Sequence, residues 1–465
     1  MIKDLSKSAG SKRLEADLII VGSGPAGMSL ALEFINTKHS VILVESGAFA
    51  SKKEVDALNQ GMGTGQEYFD LDKCRSRHFG GSSNCWSGWC APFTSADFER
   101  HEWLPNSGWP IDYKDIAPYY FKAGKRLQLN QKPFKGSAWQ SKSTPQWQVS
   151  PLLESHVFKF SRPTRFGRVY RQRLKKAKNI QCLLNATVTH INLENNGKAV
   201  SDLTVKHSLN NQTIRLKAKQ YVLATGGIEN ARLLLASNTQ QSSGVGNEHG
   251  NVGRYFMEHP HLYAEGRFFN SSKFPPLKLY TRHKNKRQWI RGYLAVPSAV
   301  RKREGILSMS MCLGTLKKGV LNEVDMPVAQ SACSFDGATL NAQKGKTLFY
   351  TDVRAEQAPN PDSRITLSDD KDRLGMPKAA LHWQLTDLDH QSVVKTQTIL
   401  GRALGAQGMS RFKLMVDDKS RYTKRVQGGC HHMGTTRMHE DPRFGVVDKN
   451  CKVFNVDNLY IAGSS

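Results

Sequence analysis

The chain has 465 residues, 39% hydrophobic and 23% charged, which is enough length for two hydrophobic cores and excludes a disordered or fibrous protein. Its longest apolar stretches are strand-sized, short of the ~18 residues of a membrane-spanning helix, and the basic N-terminus (Lys3, Lys7, Lys12, Arg13) precedes a glycine-punctuated strand rather than a cleavable leader, so a cytoplasmic protein without a transmembrane segment is expected. The formal charge of +26 suits anionic partners, yet the basic residues are dispersed and no nucleic-acid module stands out; a lysine-rich solvated surface is expected, with no nucleic-acid partner.

In chain order, Ala16–Val21 reads as a buried parallel strand that stops at glycine. Gly22-Ser23-Gly24-Pro25-Ala26-Gly27 turns into a helix through Met28–Phe34, and Ser40–Glu45 makes a second strand, completing a βαβ opening. From Ser46 to about Phe98 the chain is rich in glycine, serine and aromatics without periodicity, as long functional loops are. A helix is predicted from Tyr113 to about Leu127, with Asp112 and Asp115 in capping-box register and Pro118 in its first turns. Short strands follow between Asn179 and Leu193. Tyr221–Gly227 repeats the strand-to-glycine theme before a helix from Asn230 to Ser237. Alternating segments, His261–Phe269, Trp289–Val296 and Ile306–Leu313, suit an antiparallel sheet in a second domain. A long helix from Asp387 to about Leu404, with Thr386 and Asp389 in capping-box register, closes that region, and Asn458–Gly463 is the last strand.

Gly22, Gly24 and Gly27 have separate jobs: a tight turn, close approach of backbone to a diphosphate, and close packing of helix on sheet. The helix N-terminus would face the anion with free N–H groups, and Glu45 ends the second strand where a carboxylate can accept from ribose hydroxyls. This motif predicts a dinucleotide site and does not by itself choose between FAD and NAD. The eight cysteines (Cys74, Cys85, Cys90, Cys182, Cys312, Cys333, Cys430, Cys451) lack C-x-x-C spacing, which excludes a zinc ribbon or c-type haem and predicts reduced thiols.

The stretches RSRHFGGSSNCWSGWCAPF (75–93), YVLATGGIENARLLLAS (221–237), VGRYFMEHPH (252–261), EQAPNPDSRITLSDD (356–370) and GGCHHMGTTRMHEDPRFGVVDKNCKVFNVDNLYIAGSS (428–465) together resemble the glucose-methanol-choline (GMC) oxidoreductase family, nearest its sugar and polyol dehydrogenase and pyranose oxidase branch. The resemblance implies a metal-free enzyme that oxidises an alcohol or sugar CH–OH group by passing hydride to FAD, then hands electrons to an acceptor not identified. It implies an α/β FAD-binding Rossmann-like domain with a βαβ start and mostly parallel sheet, over 1–100, 180–255 and 425–465. A discontinuous α+β substrate-binding domain with an antiparallel sheet is expected over 101–179 and 256–424. FAD contacts are expected from Gly22, Gly24, Pro25, Ala26, Gly27, Glu45, Gly80, Gly81, Ser82, Ser83, Asn84, Cys85, Val188, Ala224 and Gly463, with Val188 meeting the adenine through its backbone. The family's active-site histidine falls on His431, three before Gly434, where a neutral imidazole can take the hydroxyl proton; His432 is expected to point elsewhere.

Two departures matter. Cys85 stands before Trp86 where branch members often carry a flavin-linked histidine, so a small buried cysteine beside non-covalent FAD is expected. Family members also continue past the AGSS strand into a helix carrying the histidine's partner, whereas this sequence stops at Ser465; on this reading the base lacks its partner, and a truncated or catalytically weak flavin-binding protein is the alternative.

Overall fold

The computed structural model describes residues 1–8, 13–148, 150–210, 212–269, 276–315 and 348–465; Lys12 and Cys333 lie outside the described residues. In the strand Arg13–Val21, Leu18 and Ile20 face one hydrophobic cluster and Ile19 and Val21 face another, because successive side chains point to opposite sides of the sheet and both sides are covered. The helix Pro25–Glu33 covers one side with Met28, Ala31 and Leu32. The helix Gly227–Ala236 covers the other with Ile228, Ala231, Leu233 and Leu234, starting three residues earlier than predicted because Gly226 caps it.

This first sheet runs in the order Ile2–Asp4, Ile180–Leu184, Val41–Val44, Arg13–Val21, Thr213–Leu223, Val200–His207, Ala186–Leu193, with Leu459–Ile461 also pairing on Thr213–Leu223. Its pairings are parallel from Ile2–Asp4 through Thr213–Leu223 and onto Leu459–Ile461. Beyond that point Thr213–Leu223, Val200–His207 and Ala186–Leu193 form an antiparallel meander, so the sheet is mixed. Thr213–Leu223 serves both parts: its start pairs with Val200–His207 and its end, Tyr221–Leu223, with Leu459–Ile461.

The second sheet is antiparallel, in the order Phe412–Leu414, His261–Phe269, Leu348–Ala355, Met309–Thr315, Gln288–Ala295, Glu154–Phe160, Trp89–Cys90, with His283–Asn285 pairing on Gln288–Ala295. The capped helix Asp387–Ala406 lays Val393, Leu400, Ala403 and Leu404 into its core. A three-stranded sheet of Arg364–Lys371, Pro377–Trp383 and Gly61–Gly65 packs beneath Gly227–Ala236. There the buried Arg232 donates to Asp372 (2.7 Å) and to the carbonyls of Pro377 and Leu58.

Three segments pack differently from the expected boundaries. Trp89–Cys90 pairs with Glu154–Phe160 in the second sheet. Phe166, Tyr170, Leu174 and Ala177 join the first sheet's core. Ile365, Met376, Ala379, Leu381 and Trp383 do the same on its other side. The physical reason is common to all three: periodicity says that a residue is buried, but not against which sheet.

Candidate active site

The glycine turn divides its three roles by space. A Cβ on Gly22 would lie 2.5 Å from the Ala224 carbonyl oxygen, in a backbone with φ +100. One on Gly27 would overlap the Gly22 carbonyl oxygen. At Gly24 a Cβ would meet nothing within 4 Å, so this glycine opens on free space. The helix that follows has Pro25 at its first position and no side-chain cap, leaving first-turn N–H groups on Ala26 and Gly27 for an anion. At the same opening lies Gly81, whose added Cβ would sit 2.8 Å from the Gly24 Cα; Gly463 (φ +138) follows the strand Leu459–Ile461, and a Cβ there would meet nothing within 4 Å. This is a cradle of backbone donors and absent side chains, the chemistry a flavin diphosphate needs.

The remaining expected contacts fall around that cradle in different ways. Gly80 donates its N–H to Ser23 Oγ (3.2 Å), and Ser83 is buried, bonding the Gly80 carbonyl (2.6 Å) and receiving the Phe166 N–H (3.1 Å). Ser82 is exposed, and the Asn84 amide donates back to Phe79 O (3.1 Å). Cys85, expected buried, is exposed, its Sγ bonding Ser82 O at 3.3 Å; a single 3-10 turn, Gly81–Asn84, leaves it on the open side. Glu45 is buried and accepts from Ser23 N (3.1 Å), Ser23 Oγ (2.6 Å) and Gly47 N (2.9 Å), so it braces the turn. Val188 is buried in the strand Ala186–Leu193, whose first residue donates to Glu45 O (2.9 Å). Ala224 donates to Val21 O (2.8 Å) beneath the turn.

His431 sits on a bulge. Residues 257–261 and 427–433 run antiparallel, bridged at Met257/Met433 and at His261/Gln427. Between the bridges one segment has Glu258, His259 and Pro260, the other Gly428, Gly429, Cys430, His431 and His432, so the longer one must bow outward. Cys430 takes the left-handed conformation (φ 58), and Gly429 is required where a Cβ would come within 2.8 Å of both His431 and His261. Beneath the bow lies the fully buried Glu258 carboxyl. It accepts the N–H groups of Gly429 (3.0 Å), His431 (2.9 Å) and His259 (3.1 Å) and the Tyr68 hydroxyl. Burial pushes its pKa up, opposed by His432.

His431 Nδ1 faces His259 Nδ1 at 3.0 Å, so the histidine expected to be without a partner has one on the neighbouring segment. One of the two nitrogens donates and the other accepts. His431 opens to solvent on one side, while the protein around it desolvates the ring and, with His259 and His432, lowers its pKa to about 3. Desolvation and Arg354 bring His259 to about 4. His261, more deeply buried, is held well below the ordinary imidazole value by the same causes; its Nδ1 meets the Tyr263 hydroxyl (3.2 Å), and its Nε2 has no partner among the described residues. His432 turns away as expected, its Nε2 on the Tyr68 hydroxyl at 2.9 Å. Among the described residues no three His, Cys, Asp or Glu side chains are disposed to hold a metal ion. The sequence displays MEHPH (257–261) without revealing what Glu258, His259 and His261 do, and nothing along the chain links them to Tyr68.

The glycine turn and the parallel part of the sheet have the geometry of a dinucleotide-binding protein. Residues 17–254 match the family model described as FAD binding domain, and residues 359–465 match GMC oxidoreductase. The chain belongs to the GMC oxidoreductase family, with FAD as its cofactor. It is 22% identical to the fructose dehydrogenase large subunit of Gluconobacter japonicus, over 97% of this chain and 93% of that protein, and 22% identical to paromamine 6'-oxidase of Streptomyces fradiae, over 96% and 85%. Among solved structures, pyridoxine 4-oxidase from Mesorbium loti superposes with a TM-score of 0.57 at 17% identity, covering 97% of this chain and 94% of that one. Among the described residues no helix is long and apolar enough to cross a membrane.

Proposed function

We propose that this chain is an FAD-dependent dehydrogenase or oxidase that removes hydride from a CH–OH group of a sugar, polyol or related alcohol, with His431 as the base. The observation that carries the reading is the His431–His259 pair: an imidazole that is neutral at pH 7, exposed on one side, with its Nδ1 engaged by protein. If His431 donates from Nδ1 to His259, its Nε2 carries a lone pair and can take a substrate hydroxyl proton. Glu258 holds that residue in place through the backbone N–H groups of Gly429 and of His431 itself. Bound FAD supplies the hydride acceptor. On this reading the mixed sheet is a Rossmann-like dinucleotide support: Gly22, Gly24, Pro25, Ala26, Gly27, Gly80, Gly81 and Gly463 cradle the diphosphate and flavin, Glu45 braces the turn, and Val188 reaches the adenine through its backbone. The sugar or polyol class rests on the likeness to relatives named for fructose and paromamine.

His431→Ala tests the assignment. Reduction of bound flavin by an alcohol panel under anaerobic conditions is expected to slow by about 10²–10⁴-fold with FAD still bound; reduction at the unaltered rate overturns it.

A further inference from the structure

We propose that Arg354 binds a carboxylate on the substrate and so selects sugar acids over uncharged sugars; this deepens the reading of His431 as the base and rests on it. Residues directly opposite in an antiparallel pair share one face of the sheet. In the second sheet His261 pairs with Arg354 and Tyr263 with Asp352, so these four side chains stand on one face. The intervening Leu262 and Val353 point the other way, into the core beneath the helix Asp387–Ala406. The polar face is the one turned toward the His431 bulge. The His261 ring lies 5.7 Å from the His431 ring and 5.9 Å from the Tyr263 ring, and the Arg354 Cζ lies 5.9 Å from the Tyr263 ring, centroid distances throughout.

Arg354 is held in a set orientation on that face. Its Cζ lies 4.3 Å over the Trp89 ring, and its Nη1 donates to Asp352 Oδ1 (2.8 Å). Arg291 donates Nη1 to Asp352 Oδ2 (3.0 Å) and Nη2 to the Leu313 carbonyl (3.0 Å). One carboxylate is thus shared by two guanidinium groups, and the trio has a positive charge to spare. Among the described residues Nε and Nη2 of Arg354 have no hydrogen-bond partner, and 19% of the side chain is exposed. Those two nitrogens form one edge of the guanidinium, the parallel pair of N–H groups that a carboxylate meets with both oxygens. A phosphate ester carries about two negative charges at pH 7, more than the trio leaves over. The same positive charge is felt at the base, where Arg354 is among the groups that keep His259 and His431 neutral. A sugar acid fits the layout end to end, with its carboxylate on Arg354 and an alcohol carbon farther along the chain at His431. The anchored end then fixes which hydroxyl the imidazole meets.

The full chain with FAD bound is titrated by calorimetry with D-glucuronate and with D-glucose, and anaerobic flavin reduction is followed with both and with D-gluconate and sorbitol. Glucuronate is expected to bind at least about tenfold tighter than glucose, and the acids to show the lower KM. Arg354→Ala should weaken glucuronate binding and raise the KM for the acids by about 10- to 100-fold. Arg354→Lys keeps the charge beside Asp352 but not the parallel donors, and should lose most of the same margin. Arg303→Ala removes an exposed arginine elsewhere and should keep it, which separates the site from the general attraction of a chain of charge +26. Equal binding of glucuronate and glucose, or a preference for the acid that survives in Arg354→Ala, overturns the proposal. Glucuronate binding that depends on Arg354, with flavin reduced by none of the four compounds, supports the carboxylate site and counts against the oxidation assigned to His431.

Discussion

At Glu258 four donors meet two oxygens. Oε1 takes the Tyr68 hydroxyl and the His431 N–H, and Oε2 takes the N–H groups of Gly429 and His259. Glutamine has the same shape but must turn an N–H₂ toward two of those donors, leaving them buried and unpaired. Glu258→Gln is therefore expected to lower stability by about 3 kcal/mol and to loosen His431. Urea unfolding gives the first, and a fall in flavin reduction without loss of FAD gives the second; an unchanged midpoint would show that the carboxyl does not hold the bulge. This role could not be read along the chain, because the glutamate and the loop it supports are 171 to 173 residues apart.

The strand, turn and helix from Arg13 to Glu33 behave as one element in which neighbouring glycines are not equivalent. Gly24 has φ −68, an angle that any residue adopts, and open space where its Cβ would go. Gly24→Ala should leave the FAD-free chain within about 0.5 kcal/mol of its original stability while weakening FAD binding at least about tenfold, or ~1.4 kcal/mol. Gly27→Ala should do the reverse in order of cause: the methyl overlaps the Gly22 carbonyl, so the chain itself loses about 1–3 kcal/mol from overpacking. Denaturation of the FAD-free proteins and FAD titration by flavin fluorescence separate the two, and equal FAD affinity in Gly24→Ala would remove that glycine from the cradle. The sequence spacing separates these glycines because turn, helix and strand are local, whereas the donors that Ser23 and Gly47 direct at Glu45 are not visible in a motif.

For the whole molecule, the imidazoles between the two sheets couple folding to pH. His259 and His261 are neutral in the folded chain, with pKa values of about 4 and well below the ordinary 6.5. Unfolded, each binds a proton as pH falls through about 6.5, so below that pH the unfolded state holds more protons and stability drops. Each group adds a slope of up to about 1.4 kcal/mol per pH unit between its two pKa values. Buried carboxyls whose pKa values are raised, Glu265, Glu356 and Asp389, act in the opposite sense toward higher pH. The histidine share is isolated by His261→Asn: the stability lost between pH 7 and pH 5 should be smaller in the variant than in the unaltered chain. An identical loss would mean that His261 already carries its proton in the folded state.

Local patterns determined what the sequence could determine. Alternation marked the strands, capping-box register marked the helices at Tyr113 and Asp387, and Gly22–Gly27 marked the turn from strand to helix, because each depends on residues within a few positions of one another. Only tertiary structure decided which sheet's core Trp89–Cys90, Phe166–Ala177 and Arg364–Trp383 pack with, and that His259 partners His431. Those pairings depend on where distant segments are brought side by side, and hydrophobic periodicity carries no information on which buried face meets which.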